Sequence, residues 1–363
     1  MQIPEEGTGI SAIKGKTSKG ATAPAVSIDD VAMAAGVSTA TVSRAVRGIP
    51  GVSAATRERV LKIVERLGYV PSSSASGLAS GRTMTMGVVV PMIDRWYFAT
   101  ALGGADRALR AAGYDLMVFN LGGAGGNRER VFHRSMLRKR IDALLVMCMS
   151  LTEEELVSLR ALDSPSIVVG SNLEGVRHVS IDDPVAVKDA VEHLIGLGHR
   201  DIAHLQGTGE YGFDFSVPLL RNEAFEATMQ AHGLPVRPEW TALGNFRAAD
   251  GKAAAARLLD DPGNRPTAIF ASSDEMAFGV MMAAAERGIR IPEELSVVGI
   301  DDHELSEPAG LTTIRQRPDE QGAFAAGLLL AELAGAARVQ PGIQPHELVV
   351  RKSTAPPPSP VTT

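Results

Sequence analysis

SIDDVAMAAGVSTATVSRAVRG, residues 27–48, is the stretch that decides how this chain begins. Ser27 and Asp30 stand three apart just ahead of an apolar period, the spacing of a capping box, so a helix is expected from Ile28. Ile28, Val31 and Ala35 form its inner face. Gly36 supplies the positive φ of a tight turn, and Val37 plugs the core behind it. A second helix is expected from Thr39 to Arg47 with Val42 and Val46 inward, which turns Thr39, Ala40, Ser43 and Arg44 outward. VSAATRERVLKIVERLGY (52–69) reads as a third helix, capped by Ser53, closed by Gly68 and carrying Val60, Ile63, Val64 and Leu67 on one side. Three short helices around a glycine turn make a helix-turn-helix. The outward face of its second helix is small enough to enter a major groove, with one arginine long enough to reach a guanine edge.

Charge agrees with that reading. The chain is net −6. Residues 27–83 carry seven Lys/Arg against four Asp/Glu, a net of +3, and residues 1–26 a net of +1, leaving −10 on the rest. A basic module ahead of an acidic body suits a DNA reader with a separate sensing domain.

From Met84 onward the pattern changes. Near-continuous apolar runs, MGVVVP (86–91), YDLMVFN (114–120), ALLVMC (143–148), SIVVG (166–170) and VSID (179–182), alternate with helical segments. A second series follows: DIAHLQG (201–207), TALGNF (241–246), TAIFAS (267–272) and LSVVGID (295–301). Gly113, Gly198, Gly233 and Gly288 sit where helix C-caps are expected. Buried strands alternating with helices argue for parallel sheets covered on both faces, and two series suggest two Rossmann-like lobes with a ligand cleft at their strand ends.

Composition narrows the rest. No apolar run reaches the roughly 18 residues that a membrane span needs, and the first twenty residues show no apolar leader core, so a cytoplasmic protein is expected. The single cysteine, Cys148, excludes an intrachain disulfide and reads as a core residue of a buried strand. Residues 1–26 lack periodicity and are expected to be disordered, and residues 355–363 form a proline-rich tail.

IDDVAMAAGVSTATVSRAVRG with VSAATRERVLKIVERLGYVP resembles the DNA-binding headpiece of the LacI/GalR family of bacterial transcription regulators. The resemblance runs on through MGVVVP, EHLIGLGHRDIAHLQG (192–207), FASSDEMAFGVMMAAAERGIRIPEELSVVGIDD (270–302) and LTTIRQ (311–316), up to RKST (351–354). It implies an all-α helix-turn-helix headpiece (27–71), a hinge helix (72–83) and an α/β body of two lobes like those of periplasmic binding proteins (84–354).

The resemblance also implies roles. Thr39, Ala40 and Arg44 match positions that specify the operator, with Arg44 carrying much of the readout. Thr41, Ser43, Ser53 and Thr56 match positions that hold phosphates. Leu78 matches a leucine that wedges into the minor groove, with Ala75 the small residue near it. YVPSSSASGLASGRT (69–83) departs from the family here. Ser72 stands where Asn is common, Ser76 where Arg is common, and Gly77 precedes the leucine at a helix cost of about 1 kcal/mol.

In the cleft, Asp94, Trp96, Tyr97 and Phe98 follow the first strand of the body. Arg221 matches the family's effector-binding arginine, Phe246 an aromatic wall with Asn245 beside it, and Asp274 an aspartate that accepts hydrogen bonds from the ligand. Asp301 and Asp302 are weaker candidates. Aromatic walls with paired donors and acceptors suit a sugar; a purine or another metabolite uses much the same groups.

Two other classes fit less well. GTGEYG (207–212) has the glycine spacing of a dinucleotide-binding turn, but Pro218 follows and no acidic residue ends the next strand. A free sugar-binding protein would share the bilobed body but not the headpiece. The sequence therefore points to a non-enzymatic regulator, expected to be a repressor without cofactor or metal. It is expected to bind a pseudo-palindromic double-stranded operator as a homodimer, away from membranes, under control of a small-molecule effector.

Overall fold

The computed structural model describes residues 26–46, 48–69, 82–122, 128–132, 137, 140–149, 151–162, 164–172, 175–207 and 216–358. The chain divides into two compact units, Met1–Ser76 and Gly77–Thr363.

In the first unit, α1 (Ile28–Ala35), α2 (Thr39–Val46) and α3 (Ala54–Leu67) enclose a small core. Ser27 and Asp30 form the capping box, and Gly36 ends α1 at φ 62°. Val31, Val42 and Val60 are wholly buried, and Ile28, Val37, Val46, Val64 and Leu67 pack against them half-exposed. Ser38 caps α2, its hydroxyl accepting the Thr41 N–H at 3.2 Å. So small a buried core suffices here because caps and turns fix the helix ends locally. The hinge positions Ala75 and Leu78 lie outside the described residues.

The second unit holds two sheets. The first is parallel throughout in the order β2-β1-β3-β4-β5. Its strands are β1 (Thr85–Val90), β2 (Asp115–Asn120), β3 (Ala143–Met147), β4 (Ser166–Val169) and β5 (His178–Val179). Around it lie α4 (Trp96–Ala111), α5 (Arg128–Phe132) and α6 (Glu153–Arg160). After β5 the chain leaves this lobe. It forms α7 (Asp183–Gly196), β6 (Ile202–Gln206), α8 (Ser216–Ala231), β7 (Thr241–Leu243), α9 (Ala248–Leu259), β8 (Ala268–Ala271), α10 (Asp274–Glu286), β9 (Ser296–Asp301), α11 (Ser306–Ala309) and β10 (Thr312–Arg315). It then forms α12 (Pro318–Leu333) and β11 (Glu347–Val349). The second sheet runs β11-β10-β9-β8-β6-β7, with only the β10–β11 pair antiparallel.

The two series of strands are thus not simply successive. Helix α12 returns to the first lobe, where Ala325, Ala326 and Leu329 join the core of β1 and β3, before β11 rejoins the second. Two glycines permit the docking. A Cβ on Gly104 of α4 would lie 1.9 Å from the Asp319 carbonyl oxygen, and one on Gly322 of α12 2.0 Å from that of Ala101. The backbones of α4 and α12 are therefore too close for side chains at those points.

The expected strands appear with trimmed ends. VSID contracts to His178–Val179, and TALGNF ends at Leu243 because Asn245 and Phe246 take left-handed φ of 52° and 54°. Gly113, Gly198, Gly233 and Gly288 all take positive φ after their helices, as expected. Both sheets have a switch point in strand order, β1/β3 in one and β6/β8 in the other. Ligands of such folds bind beyond the carboxyl ends of the strands flanking it.

Candidate functional site

Two sites emerge, one on each unit. On the headpiece, Thr39, Ala40 and Arg44 stand exposed along α2 while Val42 and Ala45 hold its other side in the core. Thr41 and Ser43 are half-exposed beside them. Ser53 caps α3: its hydroxyl accepts the Thr56 N–H at 3.2 Å and donates to Thr56 Oγ1 at 2.9 Å. Arg57 ties the preceding loop by donating to the Ile49 carbonyl at 2.7 Å. The result is a helix face of small polar side chains and one arginine, presented on a fixed scaffold.

The second site is a pocket between the lobes. Strand ends build most of it. Met92, Arg95, Tyr97 and Phe98 follow β1, Cys148 follows β3 and Gly170 follows β4. From the second lobe, Asn245 and Phe246 follow β7, Ser273 and Glu275 follow β8, Asp301 ends β9 and Gln316 follows β10. Helix α8 adds Val217, Pro218 and Arg221.

Arg221 is 4% exposed. Its Nε donates to Asp183 Oδ1 at 2.7 Å and Nη1 to the Ser272 carbonyl at 2.6 Å. A guanidinium buried this deeply needs such a partner, and Asp183, the first residue of α7, supplies it. The ring of Phe246 owes its position to Gly207, the first glycine of GTGEYG: a Cβ there would lie 2.1 Å from the ring. That glycine serves close approach of a side chain rather than a phosphate turn. Phe98 both lines the pocket and belongs to the first-lobe core. Tyr97 donates its hydroxyl to Gln321 Oε1 at 2.9 Å, and burial raises its pKa well above the usual phenol value.

Three expected ligand contacts do not line the pocket. Asp274 is fully buried and its carboxylate is already occupied: Oδ1 accepts from Thr313 Oγ1 at 2.5 Å, and Oδ2 from Ser306 Oγ at 2.6 Å and the His303 N–H at 3.0 Å. It is the first residue of α10, and the cap is Ser273, which does line the pocket. Trp96 turns to the other lobe, donating Nε1–H to Glu304 Oε2 at 2.6 Å with its ring 4.8 Å from that of His303. Asp94 is exposed and outside the lining; its charge acts on Glu275.

The pocket lining also includes residues that the sequence marks only weakly, such as Asp301, or not as ligand contacts, such as Cys148 and Gln316. Cys148 is a core residue, as expected, but also faces the cavity, and burial pushes its thiol up to about 12. Asp301 lies in a buried setting beside Asp274, and desolvation followed by that neighbour raises its carboxyl well above the usual range. Gln316 donates Nε2–H to Asp301 Oδ1. Asp302 points elsewhere, held by Arg315 at 2.6 Å and Arg351 at 2.5 Å. The signal for the missed residues was position: each sits within a few residues of a strand's carboxyl end.

Among the described residues no group of His, Cys, Asp and Glu could hold a metal, and no helix is long and apolar enough to cross a membrane.

Comparison with known proteins follows the same division. Residues 27–72 match the model of bacterial regulatory proteins of the lacI family, and residues 191–354 that of the periplasmic binding protein-like domain. Catabolite control protein A of Priestia megaterium is 35% identical over 340 residues, covering 91% of this chain and 99% of its own. The crystal structure of the Lac repressor dimer bound to operator and the anti-inducer ONPF matches with a TM-score of 0.80 and 28% identity, over 91% of this chain and 99% of its own. The transcriptional regulator CelR in its cellobiose complex matches with a TM-score of 0.66 and 28% identity, over 90% and 99%.

Proposed function

The chain belongs to the lacI family of bacterial regulatory proteins, and from that premise we propose that it is a cytoplasmic, non-enzymatic repressor that binds a pseudo-palindromic operator as a homodimer. Thr39, Ala40 and Arg44 read bases, while Thr41, Ser43, Ser53 and Thr56 hold phosphates. The hinge segment 72–83 supplies Leu78 as the minor-groove wedge, with Ala75 beside it. A sugar effector occupies the interlobe pocket and biases the lobe arrangement through its different affinity for the two states.

The observation that carries the effector reading is the buried Arg221–Asp183 pair on the wall of a pocket that also presents the Phe246 ring. An aromatic face beside fixed donors and acceptors is the chemistry that a polyhydroxylated ligand requires. The Lac repressor and CelR structures, whose ligands are ONPF and cellobiose, support the class. The test is a thermal-shift screen of sugars and nucleobases, followed by operator binding with and without the hit. A sugar that raises the melting temperature and alters operator affinity is expected. A nucleobase as the sole hit would contradict the sugar reading, and saturable NAD binding would contradict the non-enzymatic one.

A further inference from the structure

A second cavity lies on the first lobe and shares no lining residue with the interlobe pocket. It sits at the other end of the sheet, where the strands begin: Ser166 is the first residue of β4, and Arg177 stands just ahead of β5. Arg160, the last residue of α6, lines it on one side. Glu332, near the end of α12, and Arg338 beyond that helix line it on another. Arg338 belongs to the crossover that carries the chain from α12 in the first lobe to β11 in the second. A ligand held between α6 and this crossover therefore bears on one of the chain's passages between the lobes.

The lining holds three arginines and one carboxylate. That carboxylate is shared: Glu332 Oε2 lies 2.7 Å from Arg177 Nη2, and Oε1 lies 3.8 Å from Arg338 Nε. Arg160 is exposed and has no ion-pair partner among the described residues. Arg177 is nine-tenths buried. Its Nη1 donates to the Val339 carbonyl at 3.3 Å and its Nη2 to the Ser166 carbonyl at 3.2 Å. Its Nε is buried without a hydrogen-bond partner. Burying a guanidinium N–H unpaired is costly, and native proteins retain such a group where an ion or ligand completes it. Burial, together with the charge of Arg338, lowers the pKa of Arg177 in spite of Glu332, so the cations here lack countercharge. The recess favours a small partner, because a duplex backbone does not reach so buried a cation as Arg177.

We propose that this cavity is a second binding site, outside the interlobe cleft, for a compact polyanion of the polyphosphate or polycarboxylate class, with Arg160, Arg177 and Arg338 supplying the countercharge. Guanidinium groups suit such a partner, since each can give two parallel charge-assisted hydrogen bonds to one phosphate or carboxylate. The site stands or falls independently of what occupies the interlobe pocket.

The test uses the full chain in titration calorimetry with pyrophosphate, citrate and acetate at matched ionic strength. Pyrophosphate or citrate is expected to bind with a Kd below about 1 mM, while acetate gives no saturable heat, and added salt should weaken the binding. Whichever of the two binds tells whether phosphate or carboxylate is the group received. Arg160 and Arg338 are exposed, so replacing both should leave the fold intact. Arg160→Gln combined with Arg338→Gln should lower the affinity about tenfold or more, and Arg160→Lys combined with Arg338→Lys should keep part of it. If neither polyanion binds, or if one binds the double glutamine variant as it binds the wild type, the proposal is overturned. A double glutamine variant that loses operator affinity with no polyanion present would assign these arginines to DNA and overturn it as well.

Discussion

Trp96 donates its indole N–H to Glu304 at 2.6 Å, joining the amino end of α4 in one lobe to the segment after β9 in the other. The ring also lies against His303, which packs edge-on against Phe278 of α10. This bond spans the two lobes outside the pocket lining. Glu304→Gln should weaken closure and so lower effector affinity severalfold, about 1 kcal/mol for one partly exposed hydrogen bond. Ligand titration followed by tryptophan fluorescence measures it, and Trp96→Phe should match Glu304→Gln in calorimetry.

Gly207→Ala should displace the Phe246 ring, since the added methyl would sit 2.1 Å from it. Phe246 holds a left-handed backbone, which is rare for a bulky residue and is fixed by the turn around it. The ring therefore has little freedom to retreat. Effector affinity should fall about tenfold or more while operator binding without effector persists, as calorimetry and anisotropy would show.

Asp274→Ala and Ser273→Ala should separate structure from binding. Removing the Asp274 carboxylate leaves the Ser306 and Thr313 hydroxyls and the His303 N–H without their acceptor, at a cost of roughly 3 kcal/mol or more. Ser273→Ala loses an N-cap worth about 1 kcal/mol and a pocket contact. Denaturant melts should rank Asp274→Ala well below Ser273→Ala in stability.

His204 should set an acid limit on the body. It is buried between Phe225 and Phe270, and desolvation lowers its pKa to about 3. The unfolded chain takes up the proton near pH 6.5 but the folded one does not, so the stability it confers is full above that pH. That stability is lost as the pH falls toward 3, on the order of 5 kcal/mol in all. Asp274, raised to about 6, has the opposite sign: its ionisation removes stability as the pH climbs from 3.8 to 6. Melts of His204→Gln from pH 4 to 7 should show a flatter loss toward acid than the wild type.

The residues legible in the sequence are those whose structure is decided locally. Ser27, Gly36, Ser53 and Gly68 announce helix ends because caps and left-handed turns involve neighbours three or four positions away. The strand runs of β1, β3, β8 and β9 announce themselves because both their faces are buried. The return of α12 to the first lobe was hidden: it depends on Gly322 meeting Ala101 across more than two hundred residues. The one-position difference between Asp274 and Ser273 was hidden for a similar reason, since only the tertiary positions of Ser306 and Thr313 claim the aspartate. Trp96 reads as a ligand platform in the sequence, but Glu304, more than two hundred residues away, takes its indole N–H.

The proposed function makes the headpiece the DNA reader and the pocket its control. Its most direct test is anisotropy of a labelled operator, selected from a random pool by the wild-type chain, titrated with and without saturating pocket ligand. The wild type should change operator Kd about tenfold or more on adding ligand. Arg44→Ala should weaken specific binding by about 1–3 kcal/mol while keeping ligand affinity. An operator Kd unmoved by ligand, or an Arg44→Ala chain that binds the operator like wild type, would contradict it.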